Sequence, residues 1–180
     1  MINCIYEKII SHQIGIIEHD TLPGIVGLAT EENAKKIQRI KQRCASKGFI
    51  VLIPSTAHLD QLTLSISESG QKLIDAFWPG PLTIIFEKHP KISTLISGKE
   101  TTIAIRYPKH PMLSRLLTKL NQPLISTSAN ISGDTIISNE LLTSVDFTFG
   151  NLNKNSVAST IVDATKSPIQ VLRQGVIKPT

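Results

Sequence analysis

The chain has 180 residues, of which 41% are hydrophobic and 18% charged, so its composition favours one globular domain and argues against a disordered chain. Its longest uninterrupted apolar run, residues 49–53, is far below the roughly 18 residues that a membrane span requires. The net charge of +5 favours an anionic partner, such as a nucleotide or RNA.

The two cysteines, Cys4 and Cys44, form neither a CxxC pair nor part of a ligand cluster. This usage is typical of a reducing compartment rather than of a disulfide-stabilised secreted scaffold. The first residues also lack the basic start of a secretory signal. We therefore expect a cytoplasmic protein.

In the first half of the chain, short segments with apolar residues at helix or strand spacing are separated by proline and glycine residues that interrupt regular structure. The acidic pair Glu31 and Glu32 marks the first turn of a helix, and Pro23 and Gly24 predict a loop. In chain order we predict a helix over 4–12, a strand over 15–17, a loop over 20–27, a helix that opens at 30 and has core positions through 40, a strand over 49–53, and helices over 57–66 and 69–77.

The same alternation continues in the second half, where Pro111 suits the first position of a helix. We predict strands over 82–87 and 102–107, a helix over 111–120, a strand over 123–127, a helix over 138–144, and strands over 146–149, 157–162 and 169–173. Alternating strands and helices predict one α/β domain, residues 1–180, with a twisted mixed sheet flanked by helices.

A small polar loop follows the predicted strand 123–127, with the sequence Ser126-Thr127-Ser128-Ala129-Asn130-Ile131-Ser132-Gly133. Serine and asparagine side chains bond their own backbone and leave amide N–H groups pointing outward. A donor-rich loop at the end of a strand can hold a phosphate or a carboxylate. An ordinary Ser/Asn-rich turn has the same composition, and these eight residues alone favour that interpretation; the rest of the chain favours a binding loop.

Cations are concentrated at the end of the second predicted helix, where Lys41, Arg43 and Lys47 precede a buried strand. They could bind a triphosphate through charge-assisted hydrogen bonds, or merely complement the helix dipole.

Arg106 lies in an apolar strand, where an unpaired charge is costly to bury. It therefore requires a carboxylate from the protein or from a ligand, and we favour a ligand.

The pair His19-Asp20 invites a catalytic interpretation, although neighbours in an extended chain point to opposite faces. The sequence contains no GxSxG, HExxH, Walker GxxxxGK[ST] or GxGxxG motif. A serine hydrolase, a zinc protease of that type and a P-loop enzyme are therefore poorly supported.

Several short motifs occur in a recognisable order: Asp20-Thr21-Leu22-Pro23-Gly24, Lys41-Gln42-Arg43 with Lys47, Trp78-Pro79-Gly80-Pro81-Leu82-Thr83, Ala104-Ile105-Arg106-Tyr107-Pro108, the loop 126–133, Ser159-Thr160-Ile161-Val162-Asp163 and Arg173-Gln174-Gly175. In this order the chain resembles the YrdC/TsaC family of threonylcarbamoyl-AMP synthases, in a short form without an additional C-terminal domain. The tryptophan motif and the loop 126–133 are the specific ones.

The resemblance implies a YrdC-like fold with a basic concave cavity and a nucleotidyltransferase activity. Such enzymes form threonylcarbamoyl-adenylate from L-threonine, bicarbonate or CO2, and ATP with Mg2+, and release pyrophosphate. The product serves threonylcarbamoyladenosine formation at position 37 of tRNA, which other proteins of the pathway complete. The first alternative is a non-catalytic module of the same fold that binds tRNA or double-stranded RNA. The second is a nucleotide-dependent enzyme that acts on another carboxylate or amine substrate.

The resemblance also implies roles for individual residues. L-threonine would be bound by Thr21, Arg106, Ser126 and Ser159. ATP would be bound by Lys41, Arg43, Lys47, Thr102, Ser128, Asn130 and Arg173, and Mg2+ would be held through ATP rather than by protein side chains.

The chain departs from the family at the first motif. Members commonly read Pro-Thr-[Asp/Glu]-Thr-Val-[Tyr/Phe]-Gly there, whereas this chain has Glu18, His19 and Pro23 at the first, second and sixth positions. Leu52 stands where many members have histidine, and Cys44 where proline is usual. These changes cluster on the threonine side of the site.

Overall fold

A nine-stranded mixed sheet organises the computed structural model, which describes residues 2–44, 46–99, 101–129, 137–152 and 156–179. The strands are β1 Gly15–Ile17, β2 Gly24–Leu28, β3 Ile50–Leu52, β4 Leu82–Glu87, β5 Thr102–Arg106, β6 Leu124–Ser128, β7 Phe147–Phe149, β8 Thr160–Asp163 and β9 Gln170–Arg173. Their order in the sheet is β7-β1-β2-β6-β3-β5-β4-β8-β9. Parallel and antiparallel pairs alternate irregularly, which confirms the prediction of a mixed sheet.

Helices flank this sheet, and several of them begin at side-chain caps that the sequence supplies. They are α1 Ile2–Ile10, α2 Glu31–Ile40, α3 Leu59–Leu62, α4 Glu68–Phe77, α5 Thr94–Ser97, α6 Pro111–Leu120 and α7 Asn139–Ser144. The hydroxyl of Thr30 accepts a hydrogen bond from Asn33 N–H at the start of α2, and Ser67 does the same for Gly70 in α4. None of the helices in the described residues has the length and apolar character of a membrane span.

The predicted loop over 20–27 is wrong in its second half, because β2 begins at Gly24 and lies between β1 and β6. Gly24 was interpreted as a breaker, but its lack of a side chain allows a close approach. A Cβ there would lie 2.6 Å from Cε1 of His19 and 2.7 Å from Oγ of Ser126. The glycine therefore admits two polar side chains beside a central strand.

The helix predicted over 57–66 is also shorter than expected. A 3-10 turn, Thr56–His58, leads into α3, which ends at Leu62. Thr63 then forms an isolated antiparallel bridge with Lys88. The short helix α5 was not predicted.

The two faces of the sheet carry separate hydrophobic clusters. On one face, α1 and α6 cover β1, β2 and β6 through Ile9, Leu116, Val26 and Leu124. The opposite face packs against α2, α3 and α4. Leu52 of β3 also belongs to this first cluster, whereas the residues of β5, β4 and β8 that point to the same face lie outside it. A cavity opens over these strands.

Candidate functional site

The cavity has a volume of about 430 Å3 and is lined by strand residues and by the loops that follow them. Most of the residues predicted for the site lie on its wall: Thr21, Arg43, Lys47, Thr102, Arg106, Ser126, Ser128, Ser159 and Arg173. Asn130, the remaining loop residue of that prediction, lies outside the described residues. Residues that are far apart in sequence thus share one concave surface.

Arg106 is 2% exposed and uses its guanidinium to join three segments of the chain. Its Nε donates to the carbonyl of Gly80 at 3.1 Å, and its Nη1 donates to Oγ1 of Thr21 at 2.7 Å. Its Nη2 lies 2.6 Å from Oδ1 of Asp20. The buried arginine therefore has a carboxylate of the protein beside it, where we had favoured a ligand as its partner.

Asp20 and Thr21 are themselves held by hydrogen bonds from other segments of the chain. The Oδ2 atom of Asp20 accepts a hydrogen bond from Lys109 N–H at 3.1 Å. The carbonyl of Thr21 accepts from the hydroxyl of Ser156 at 3.0 Å. Since an arginine carries five donors in a fixed fork, a carboxylate entering the cavity can add to these contacts rather than replace them.

Ser159 links the neighbouring wall to Arg173. Its hydroxyl lies 2.9 Å from Oγ1 of Thr83 and accepts a hydrogen bond from Nη2 of Arg173 at 3.0 Å. The Nε of Arg173 donates to the carbonyl of Ser159 at 3.0 Å. These bonds fix the arginine of the edge strand β9 at the cavity wall.

Arg43 shapes the loop that follows α2. Its Nε donates to the carbonyl of Lys47 at 3.1 Å and its Nη2 to the carbonyl of Gly48 at 2.7 Å, while the guanidinium lies over the ring of Phe49.

The cationic residues on the cavity wall are Arg43, Lys47, Lys99, Arg106 and Arg173. Among the described residues, no aspartate or glutamate lines the same wall. Its charge suits a polyanion.

Lys41 is the described member of the predicted nucleotide set that does not line the cavity. It is 1% exposed, and its Nζ donates to Oγ1 of Thr127 at 3.3 Å and to the carbonyl of Ser128. Burial, with a smaller effect of Arg43, lowers the pKa of Lys41 to about 8. Lys41 therefore stabilises the end of β6 through these hydrogen bonds.

His19 is 3% exposed and also lines the cavity. Burial, followed by the charge of Arg106, lowers the pKa of His19 to about 3, although Asp20 opposes this shift and His110 adds slightly to it. The imidazole is therefore neutral at physiological pH. Asp20 does not act as its hydrogen-bonded partner, because that carboxylate is directed to Arg106 and Lys109.

This shift predicts a loss of stability in acid. The unfolded chain protonates His19 near pH 6.5, whereas the folded chain resists protonation until about pH 3, so stability is full above pH 6.5 and falls below it. Between pH 7.5 and pH 5, His19 alone should remove about 2 kcal/mol from the free energy of unfolding. Urea titrations at both pH values should show this loss in the wild type and a loss smaller by that amount in His19→Leu. Equal losses in the two proteins would contradict the prediction.

Sequence reasoning missed three of the residues that build the site. Asp20 was noted as a neighbour of His19 and as the start of a motif but was given no role, yet it pairs with Arg106, which lies in a distant strand. Thr83 ends the tryptophan motif but was given no role, and Lys99 lies in no motif; the sheet topology brings them to Ser159 and to the cavity wall. The buried arginine was the available signal for Asp20, since it required a carboxylate somewhere in the chain.

Comparison with known proteins agrees with this geometry. The family model of Sua5, YciO and YrdC, described as "Telomere recombination", matches residues 7–175. A threonylcarbamoyl-AMP synthase of Pyrococcus abyssi is 33% identical over 165 residues, which cover 87% of this chain and 48% of that protein. One of Vibrio vulnificus is also 33% identical, over 84% of this chain and 88% of that protein.

A solved structure shows the same architecture. The crystal structure of P. abyssi Sua5 in complex with L-threonine superposes with a TM-score of 0.89 at 28% identity. The match covers 97% of this chain and 54% of that one, so this chain spans about half the length of the P. abyssi protein. Because the family model matches almost the whole chain, the protein belongs to the Sua5/YciO/YrdC family.

Proposed function

We propose that this protein is a threonylcarbamoyl-AMP synthase, a nucleotidyltransferase that forms threonylcarbamoyl-adenylate from L-threonine, bicarbonate or CO2, and ATP. The observation that carries the proposal is the meeting of two kinds of group in one cavity. Arg106 with Thr21 and Ser126 offers a buried site for an amino-acid carboxylate, and cations such as Arg43 and Arg173 stand on the same wall. Relatives named for this activity support it.

The carboxylate of threonine would lie against the guanidinium of Arg106, with Ser126 and Ser159 bordering the same pocket. Its amino group, once carboxylated, becomes a carbamate whose oxygen attacks the α-phosphorus of ATP, and pyrophosphate leaves. No protein nucleophile takes part. The chain would contribute by holding several anions together and by stabilising the charge that develops on phosphorus.

The nucleotide would occupy the cationic part of the cavity, with Arg43, Lys47, Thr102, Ser128 and Arg173 as its contacts. Lys41 would support these contacts indirectly, by holding the end of β6. Asn130 remains a predicted ATP contact. Within the described residues no group of three or more metal-ligating side chains occurs. We expect Mg2+ to be held through the triphosphate, where it would supply neutralisation of phosphate charge.

We infer that residues 1–180 act as one YrdC-like domain, since the cavity draws on the chain from His19 to Arg173. The product would serve threonylcarbamoyladenosine formation in tRNA, with other proteins of that pathway completing the transfer. Contact with tRNA and a cytoplasmic location stay predictions. Binding of tRNA or double-stranded RNA without catalysis is the alternative function.

The test is pyrophosphate release by the purified protein with ATP, Mg2+, L-threonine and bicarbonate, omitting each in turn. Release should require threonine and bicarbonate and should collapse in Arg43→Ala. A folded protein that binds ATP but releases no pyrophosphate would refute the synthase. Salt-dependent binding of tRNA by such an inactive protein would then favour the alternative.

A further inference from the structure

His19 has an unsatisfied polar atom inside the cavity. The side chain is 3% exposed, and its Nε2 has no hydrogen-bond partner among the described residues. A buried polar group without a partner is costly, and most such groups in folded proteins are bonded. An unsatisfied atom on the wall of a binding cavity is therefore a candidate contact for the ligand.

His19 lies on the same part of the cavity wall as Ser126 and Arg106, the residues proposed to bind the substrate carboxylate. The point where Gly24 would carry a Cβ lies 3.0 Å from Nε2 of His19 and 2.7 Å from Oγ of Ser126. The imidazole and the serine hydroxyl thus flank the same small space. Arg106 is near enough for its charge to act on His19, and both residues line the cavity.

The charges of the pocket restrict what the imidazole can bind. In the proposed function the guanidinium of Arg106 binds the ligand's carboxylate, and the same cation disfavours an ammonium group beside the neutral ring. A hydroxyl group meets neither restriction, because it can donate to an unprotonated Nε2 or accept from a protonated one.

We propose that Nε2 of His19 binds the side-chain hydroxyl of the amino-acid substrate and makes the site selective for hydroxylated amino acids. This inference rests on the proposed function and adds a specificity-determining residue to it. A site that hydrogen-bonds a substrate hydroxyl rejects the analogue without it, since the buried partner is then left unpaired.

L-threonine and L-2-aminobutyrate form a matched pair of ligands, because they differ only in this hydroxyl. Calorimetric titration of the wild type should show tighter binding of threonine. In His19→Leu, threonine affinity should fall about tenfold while 2-aminobutyrate affinity changes little, as expected for the loss of one net hydrogen bond. His19→Gln, whose amide nitrogen can approach the place of Nε2, should retain most of the preference.

If His19 served only to stabilise the fold, His19→Leu would melt at a lower temperature than the wild type. We expect the opposite. Since leucine removes an unsatisfied polar atom, His19→Leu should melt at the same or a higher temperature than the wild type at pH 7.5. If this variant fails to fold, the ¹⁵N shift of His19 Nε2 in the wild type provides the readout. It should move on addition of threonine and not of 2-aminobutyrate.

The outcomes separate this inference from the proposed function. A wild type that binds no threonine refutes both. A wild type that binds threonine, with a preference over 2-aminobutyrate that His19→Leu leaves intact, refutes the role of His19 alone. If His19→Leu binds threonine and 2-aminobutyrate more weakly by the same factor, the role of His19 is also refuted, because the loss of affinity would then come from the shape of the pocket.

Discussion

Replacing Arg106 with methionine should weaken threonine binding by about 100-fold or more and lower the free energy of unfolding by about 3 kcal/mol. The binding loss follows because the ligand carboxylate would lose its buried counter-charge. The stability loss follows because Asp20, whose side chain is 14% exposed, would lose the Nη2 that lies 2.6 Å from its oxygen. Calorimetric titration and urea denaturation measure the two effects.

A double variant separates these two roles of Arg106. Adding Asp20→Asn to Arg106→Met removes the uncompensated carboxylate and should restore much of the lost stability. It should not restore threonine binding, because the guanidinium is still absent. Wild-type threonine affinity in either variant would show that the substrate carboxylate binds elsewhere, and failure of the double variant to regain stability would show that the ion pair does not hold the loop at Asp20.

The second large effect is expected for Arg43→Lys, which keeps the charge but loses the planar fork. A single ammonium on a flexible stem cannot reproduce the paired bonds to the carbonyls of Lys47 and Gly48. The loop that faces the nucleotide should lose its order, and the KM for ATP should rise about tenfold, the value of one charge-assisted hydrogen bond. Threonine affinity should stay close to that of the wild type.

Arg115→Lys is the matched control for this prediction, since Arg115 is exposed on α6 and does not line the cavity. Steady-state pyrophosphate release at varied ATP concentration should leave that variant unchanged. An unaltered KM for ATP in Arg43→Lys would mean that only the charge of Arg43 matters. A rise in both variants would point to a general effect of arginine replacement.

The sequence was most informative where local chemistry decides the structure. Apolar periodicity, the acidic first turn of α2 and Pro111 in α6 predicted α2, α4 and α6 close to their observed limits, and the continuous apolar run predicted β3. The prediction was wrong at β2, because local rules treat a glycine after a proline as a breaker. Only the neighbouring side chains His19 and Ser126 explain why that glycine lies in a central strand.

The same distinction holds for the site. Arg106 could be recognised from its own strand, since an arginine among isoleucines requires a partner. The identity of that partner depends on strand order, which brings Asp20 to Arg106 and Thr83 to Ser159. For Lys41 the local motif was misleading about position. The motif placed it with the nucleotide contacts, yet its ammonium does not line the cavity and instead donates to the carbonyl of Ser128.

The order of strands in the sheet also affects how the protein folds during synthesis. β1 pairs with β7, and Ile14 N–H donates to Asp146 at 2.7 Å across 132 residues of sequence. Pairings this distant slow folding to about the millisecond-to-second range. Strand β9 supplies Arg173, so the cavity is incomplete until the residues through Arg173 have left the ribosome. Substrates therefore cannot assist the folding of the nascent chain and can stabilise only the finished domain.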